Sequence, residues 1–153
     1  MRFRFALGVA LAVLLASCAG DTPVTMENYE KHPVRLPNGK VIQAEVMTRT
    51  QDMMRGMMFR DSLAPGNGML FVHGQPGLYP YYMFQVRFPL DIIWMDANHR
   101  IVEIAADTPP CKAVQNEGCP TYGGHQQALF VLEIGGGMAK KNALAVGDVL
   151  DFY

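Results

Sequence analysis

The sequence lacks most of the marks by which an activity is usually read. It has no Gly-x-Ser-x-Gly elbow for a serine nucleophile, and Gly135-Gly136-Gly137 is not followed by the Lys-Ser/Thr that a phosphate-binding loop requires. No His-x-x-x-His pair or comparable ligand spacing occurs. His32, His73, His99 and His125 fall in segments that read as loops or turns, which makes them solvated side chains by expectation. Charge is sparse and nearly balanced, 13 Lys and Arg against 14 Asp and Glu, so no basic stripe exists to follow a phosphate backbone. Nucleic acid is therefore not an expected partner. The apolar run at the start, Phe5 to Ala16, covers 12 residues, well short of the roughly 20 that a bilayer core demands of a helix.

What that run does resemble is an export leader. Arg2 and Arg4 precede it, and Leu15-Ala16-Ser17-Cys18 follows in the order of a lipobox, where the Cys thiol is acylated before cleavage leaves it as the first residue. The alternative is an ordinary signal peptide with an incidental Cys. The division expected is a lipoprotein signal peptide over 1–17, a lipidated Cys18 with its tether over 18–32, and a single β domain over 33–153. Several acyl chains give stable anchoring where one does not, so the membrane is an expected partner through Cys18, on the periplasmic side. Ala19 in place of an inner-membrane retention Asp favours the outer membrane. Loss of the leader also removes Arg2 and Arg4, leaving 11 basic against 14 acidic residues and a net charge of −3.

With Cys18 lipidated, two of the three cysteines remain, Cys111 and Cys119, in a loop bounded by Pro110 and Pro120. In an oxidising compartment their simplest fate is a disulfide, worth about 2.5 kcal/mol for so short a loop. A metal or redox pair would need a different spacing or a nearby His.

The pattern along the chain is that of short strands. Val34-Leu36 and Val41-Met47 flank Pro37-Asn38-Gly39-Lys40, a strong hairpin signal because Asn and Gly tolerate positive φ. Gln51-Arg55 reads as a short helix with Thr48 or Thr50 as its cap and Gly56 as its stop. Gly68-Val72 is a buried strand, followed by a loop at His73-Gly77. Leu90-Met95 is apolar on both sides, with Leu90, Ile92 and Trp94 facing one way and Ile93 and Met95 the other, and is expected to be central in a sheet. Asp96-His99 turns the chain into Arg100-Ile104. Residues from Ala105 to His125 read as loop, Ala128-Ile134 as a strand, Met138-Leu144 as a helical turn and Val146-Phe152 as a last strand. The fold class expected is mainly β, a compact sandwich or partly open barrel of about seven short strands with one or two short helices and no βαβ alternation.

Arg55-Gly56-Met57-Met58-x-Arg60, Leu63, Gly68-Met69-Leu70-Phe71, Met83, Pro89-Leu90-Asp91-Ile92-Ile93, Leu132-Glu133 and Gly147-Asp148 together resemble the DUF192 family of bacterial and archaeal proteins, from about Val41 to Val149. The resemblance implies a compact, mainly β domain, often exported, and no established reaction or cofactor. Family members commonly carry an aromatic-Met-Lys-Asn-Thr run where this chain has Tyr82-Met83-Phe84-Gln85-Val86.

Candidate residues follow from these motifs. Arg55, Arg60, Met83, Gln85, Asp91 and Glu133 are the candidate ligand-binding set, with Arg able to hold an anionic group. Two buried Arg–carboxylate pairs are the architectural alternative. Asp91 with Glu133 could serve as a hydrolase pair only if about 5–9.5 Å apart across a substrate. Met53, Met54, Met57 and Met58 could hold Cu(I) through soft thioethers, or simply fill gaps. Tyr79, Tyr81 and Tyr82 suit carbohydrate or protein contacts. The function expected is a lipid-anchored, non-catalytic binding domain for a small polar ligand or an envelope partner.

Overall fold

The computed structural model describes residues 29–153; the leader, Cys18 and most of the tether lie outside the described residues. Eight strands run in chain order: β1 (Lys31–Arg35), β2 (Val41–Met47), β3 (Asn67–Gly77), β4 (Tyr81–Tyr82), β5 (Leu90–Met95), β6 (Ile101–Thr108), β7 (Thr121–Tyr122) and β8 (Ala128–Gly135). Among the described residues two short helices, α1 (Thr50–Arg55) and α2 (Met138–Lys141), accompany the strands, with a 3-10 turn at Asn116–Gly118. Six strands form one sheet in the order β1-β2-β3-β8-β5-β6, and β4 pairs with β7 in a small second sheet. The fold is thus mainly β and does not close into a barrel.

The first hairpin turns where the Asn-Gly signal lies. Gly39 takes φ 83, and Leu36 and Lys40 close the turn with Leu36 N–H donating to Lys40 O at 2.8 Å. The second hairpin is fastened by Asp96, whose carboxylate accepts the N–H groups of Asn98 and Arg100 at 2.8 and 3.0 Å.

β5 is buried along all six residues. Its alternation divides the hydrophobic core in two across the sheet. Ile93 and Met95 pack with Leu70, Leu132, Leu144, Leu150 and Phe152 on one face; Leu90, Ile92 and Trp94 pack with Met47, Met57, Met69, Phe71, Met83 and Val131 on the other. At about 1.5–3 kcal/mol for each large apolar side chain, this strand alone anchors both layers. Its position is one in from the edge pair, however; β3 and β8 occupy the middle.

Several expected elements differ in the structure. Strand β3 runs on through His73 to Gly77, and β6 runs to Thr108, so the presumed loops begin later. Val146–Phe152 forms no strand, only isolated bridges of Arg35 with Asp151 and Arg100 with Val149. Its alternation reflects Leu150 and Phe152 inserting into the core as a lid, not a ladder. The helix α1 starts from Arg49 with no side-chain cap hydrogen bond, so neither Thr48 nor Thr50 caps it. It is tied down instead at Asp52, which receives the Tyr29 hydroxyl at 2.9 Å and the Arg49 guanidinium at 2.5 Å; the Arg49 contact holds that carboxyl below its usual value.

One βαβ unit is present after all: β2 and β3 are adjacent and parallel, so residues 48–66, with α1 among them, form a crossover. A helix of six residues is too short to show helical periodicity, and the unit was therefore invisible in the sequence. Its consequence is local. The crossover lies over the Met69–Phe71–Trp94 face, where Gly56 comes within 3.4 Å (as an added Cβ would) of the Phe71 ring.

Candidate functional site

Between that crossover and the sheet lies a cleft of about 570 Å³. One wall is α1 and the residues after it, with Arg55 at the rim and Met53, Met54, Met57 and Met58 along the side; the other is the Tyr79-Pro80-Tyr81-Tyr82 segment with Phe84. Phe71 and His73 from β3 and Glu133 from β8 contribute the remaining lining. A shallower hollow continues outward to Asn116 and Phe59, sharing Met54, Arg55, Met58, Tyr82 and Phe84.

The aromatic wall is fixed in place. Tyr81 meets Phe71 and Trp94 edge-on, at 5.2 and 5.8 Å between ring centroids, and pairs through β4 with Tyr122 of β7. Tyr79 stacks on His73 at 3.5 Å, and its carbonyl accepts the Trp94 indole N–H at 2.8 Å. The loop closed by the Cys111–Cys119 disulfide leads into β7, the partner of β4. Gly123, at φ 63, lies so close to Trp94 that a Cβ would meet the ring at 2.4 Å; no other residue fits that approach. A wall held at so many points costs little further ordering when a ligand arrives.

Register places the charged residues. Glu45, Met69, Glu133 and Ile92 stand side by side on β2, β3, β8 and β5, all on the cleft face of the sheet. Arg60, arriving from the crossover, grips Glu45 with both terminal nitrogens, at 2.9 and 2.5 Å. Both side chains are about nine-tenths buried. Glu133 is 5% exposed, its Oε2 has no hydrogen-bond partner, and the same is true of the buried Arg60 Nε. Burial pushes the Glu133 carboxyl up to about 8 against the partial pull of the Arg60 charge, so it is protonated at neutral pH. Burial likewise lowers His73 and raises Tyr81 well above its ordinary value, so neither carries charge near pH 7.

The expected site residues separate in space. Glu133 and Arg55 line the cleft, and the four methionines line it as well, although Met57 is buried to 1% and belongs mostly to the core. Asp91 does not face the cleft. It is fully buried and spends its oxygens on backbone N–H groups, those of Asp107 at 2.6 Å, Gly137 at 3.0 Å and Ala139 at 2.5 Å. It thereby ties the end of β6 and the start of α2 to β5. Because Asp91 pairs with Ile134 and Ile92 with Glu133, the two carboxylates point to opposite faces of the sheet and cannot act on one substrate. This removes the hydrolase pair. Met83 is 1% exposed and packs in the core, its carbonyl accepting Cys111 N–H at 3.2 Å, so it is not a ligand contact. Gln85 is exposed, lies outside the cleft lining and holds φ 56, the left-handed region. The position favours glycine or the shorter Asn, so Gln sits there at a cost; its carbonyl receives the Phe59 N–H at 2.9 Å.

The two architectural Arg pairs reduce to one, and its carboxylate is a residue the motifs did not include. Arg60 pairs with Glu45, not with Asp91 or Glu133, and Arg55 has no ion-pair partner among the described residues. The signal for Glu45 was present in β2: alternation sets Glu45 on the same face as the buried Met47, and a lone carboxylate there demands a cation. Two of the histidines expected to be solvated pack on aromatic rings, while His125 is exposed as expected. His73 packs against Tyr79, and His99 stacks on Phe152 at 3.8 Å. Among the described residues, no three of His, Cys, Asp and Glu converge as a metal set would.

Comparison with known proteins gives the following. The model of the DUF192 family, described as uncharacterised, matches residues 34–152. No curated protein matches the chain. A crystal structure of a protein of unknown function from Novosphingobium aromaticivorans is similar at 29% identity and a TM-score of 0.67, covering 79% of this chain and 83% of that one. A protein of Sinorhizobium meliloti, called a "putative transcription regulator", is similar at 26% identity and a TM-score of 0.70, covering 81% of this chain and 95% of that one.

Proposed function

This chain belongs to the DUF192 family, which brings a fold but no reaction, and from the cleft we propose that it is a non-catalytic binding domain for a small ligand. The observation that carries this reading is a buried, unpartnered carboxyl on the floor of an open, aromatic-walled cleft. Buried polar atoms are ordinarily satisfied. Here Asp91 is consumed by architecture and Arg60 gives both terminal nitrogens to Glu45, whereas Glu133 lines the cleft with its Oε2 unpartnered. No metal cluster or second cleft-lining carboxylate accompanies it among the described residues. Binding, not turnover, is what such a site supports.

The proposed setting is the cell envelope, with the domain held by lipid on Cys18 at the outer membrane, facing the periplasm. The leader residues and the disulfide support this. The acidic balance offers no footing for nucleic acid.

A thermal-shift panel of amines, amino acids, aromatic acids, sugars and nucleosides tests the reading. A saturable rise in Tm with one class, weakened at least ten-fold by Glu133→Gln, is the expected result; a flat panel, or turnover of any member, would sink it. Labelling with a radioactive fatty acid, lost in Cys18→Ser, tests the anchor. A second reading, Cu(I) held by thioethers, draws on the placement of Met53, Met54, Met57 and Met58 with His73 along one cleft. Substoichiometric copper in protein from copper-supplemented cells ends it.

A further inference from the structure

We propose that the ligand is an organic cation, a quaternary or primary ammonium group seated against Glu133 with its carbon substituents against the aromatic wall. This deepens the binding reading above and rests on it. Three observations point to positive charge. First, Glu133 Oε2 is buried without a donor, and Arg60, whose charge reaches it, gives both terminal nitrogens to Glu45 while its Nε makes no hydrogen bond. With Glu133 ionised, these three groups sum to one negative charge that nothing in the fold offsets. Second, five aromatic residues line the same cleft, Phe71, Tyr79, Tyr81, Tyr82 and Phe84. Ring faces attract a desolvated cation that a carboxylate or sugar hydroxyl would not gain from. Third, thioethers of Met53 and Met58 complete an apolar, polarisable lining suited to N-methyl or alkyl groups.

An anion fits poorly. It would sit beside a carboxyl in low dielectric, and the one Arg or Lys lining the cleft among the described residues, Arg55, is exposed on α1 and screened by water. A neutral acceptor of the Glu133 proton is the serious competitor, and protons distinguish the two. A cation exchanges for the carboxyl proton: Glu133-COOH and the ammonium give the carboxylate–ammonium pair, with one proton released to solvent. The groups facing Glu133 do not confuse the readout. Arg60 and Glu45 remain paired, His73 and Tyr81 are held neutral by burial, and Arg55 lies exposed on α1.

The test is titration calorimetry on the full chain in a non-ionic maltoside, in two buffers of different ionisation enthalpy. The probes are tetramethylammonium, choline and benzyltrimethylammonium, with 3,3-dimethylbutan-1-ol as the neutral isostere of choline. Expected is binding of the cations, about ten-fold tighter per pH unit from roughly pH 6 to pH 8, with close to one proton released at the lower pH. Glu133→Gln should lose at least ten-fold and the pH dependence together, and Phe84→Ala should weaken the cations while leaving the fold intact. Equal, pH-independent binding of the neutral isostere would overturn the cation assignment and leave a binding cleft standing. Failure of all three cations at 10 mM would overturn it too, and the wider thermal-shift panel then decides separately whether the cleft binds anything.

Discussion

Replacing Glu133 by Gln should make the domain more stable, and increasingly so as pH rises. Glu133 is 5% exposed with an unpartnered oxygen, and burial lifts its carboxyl from 4.5 in the unfolded chain to about 8 in the fold. A folded-state value raised above the unfolded one means that the protonated carboxyl supports folding fully below pH 4.5. That support is lost as pH climbs toward 8, because the unfolded chain releases its proton first and folding must take one up. For a single group with these two values, linkage gives a loss of about 3 kcal/mol between roughly pH 5 and pH 8. Gln has nearly the same shape and no proton to release, so its stability lacks this slope. The assay is urea unfolding followed by the fluorescence of Trp94, the single tryptophan, buried in the core. With a urea dependence of about 1–3 kcal/mol/M, the midpoint of the variant relative to the parent should shift by about 1–3 M across that range. Parallel pH profiles for the two proteins would show that Glu133 is not held protonated, and the account of the cleft would fail with it.

Arg60→Ala should cost about 3–5 kcal/mol by leaving Glu45 charged and alone beneath the crossover, whereas Arg60→Met with Glu45→Leu should come close to the parent in the same unfolding assay. Asp91→Asn is expected to lose about 2–4 kcal/mol, since three charge-assisted bonds from backbone N–H groups become weaker or repulsive; cation affinity measured on the folded protein should not change, because Asp91 faces away from the cleft. Gln85→Gly should gain about 1 kcal/mol, roughly 3 °C in Tm, by relieving a left-handed side-chain-bearing residue, while Gln85→Val should lose stability. Removing the Cys111–Cys119 bond with a double Ser substitution should cost about 2.5 kcal/mol and loosen the wall that Gly123 braces through Trp94, seen as faster hydrogen exchange at Tyr81 and Tyr82.

Much of the architecture was legible residue by residue. The Asn38-Gly39 turn, the Asp96 turn and the two-faced alternation of Leu90-Met95 are local signals, set by φ preferences and by the two-residue period of a strand, and each is realised. The alternation even separated the two halves of the core before any sheet was known. The closing segment failed for the same reason that others succeeded: alternation reports burial, and Leu150 and Phe152 are buried without joining a ladder. Gln85 shows the converse. Its place in a motif suggested function, and the structure sets it outside the cleft lining on a left-handed backbone that Gln adopts at a cost.

The candidate site divides along the same line. Sequence alone determined which charged residues stand among apolar neighbours, Arg60, Asp91 and Glu133 among them, because burial of a charge is announced by its surroundings along the chain. It could not say which partner each would find. Arg60 meets Glu45 through a parallel crossover, and Asp91 meets backbone N–H groups 46 and 48 residues away. Glu133 finds no hydrogen-bond partner for its Oε2. A carboxyl takes its protonation state from everything within several ångströms, and that neighbourhood is assembled from β2, β3, β8 and the crossover only when the chain is folded. The same assembly makes the cleft, since neither α1 nor the tyrosine segment encloses space until the sheet sets them opposite each other.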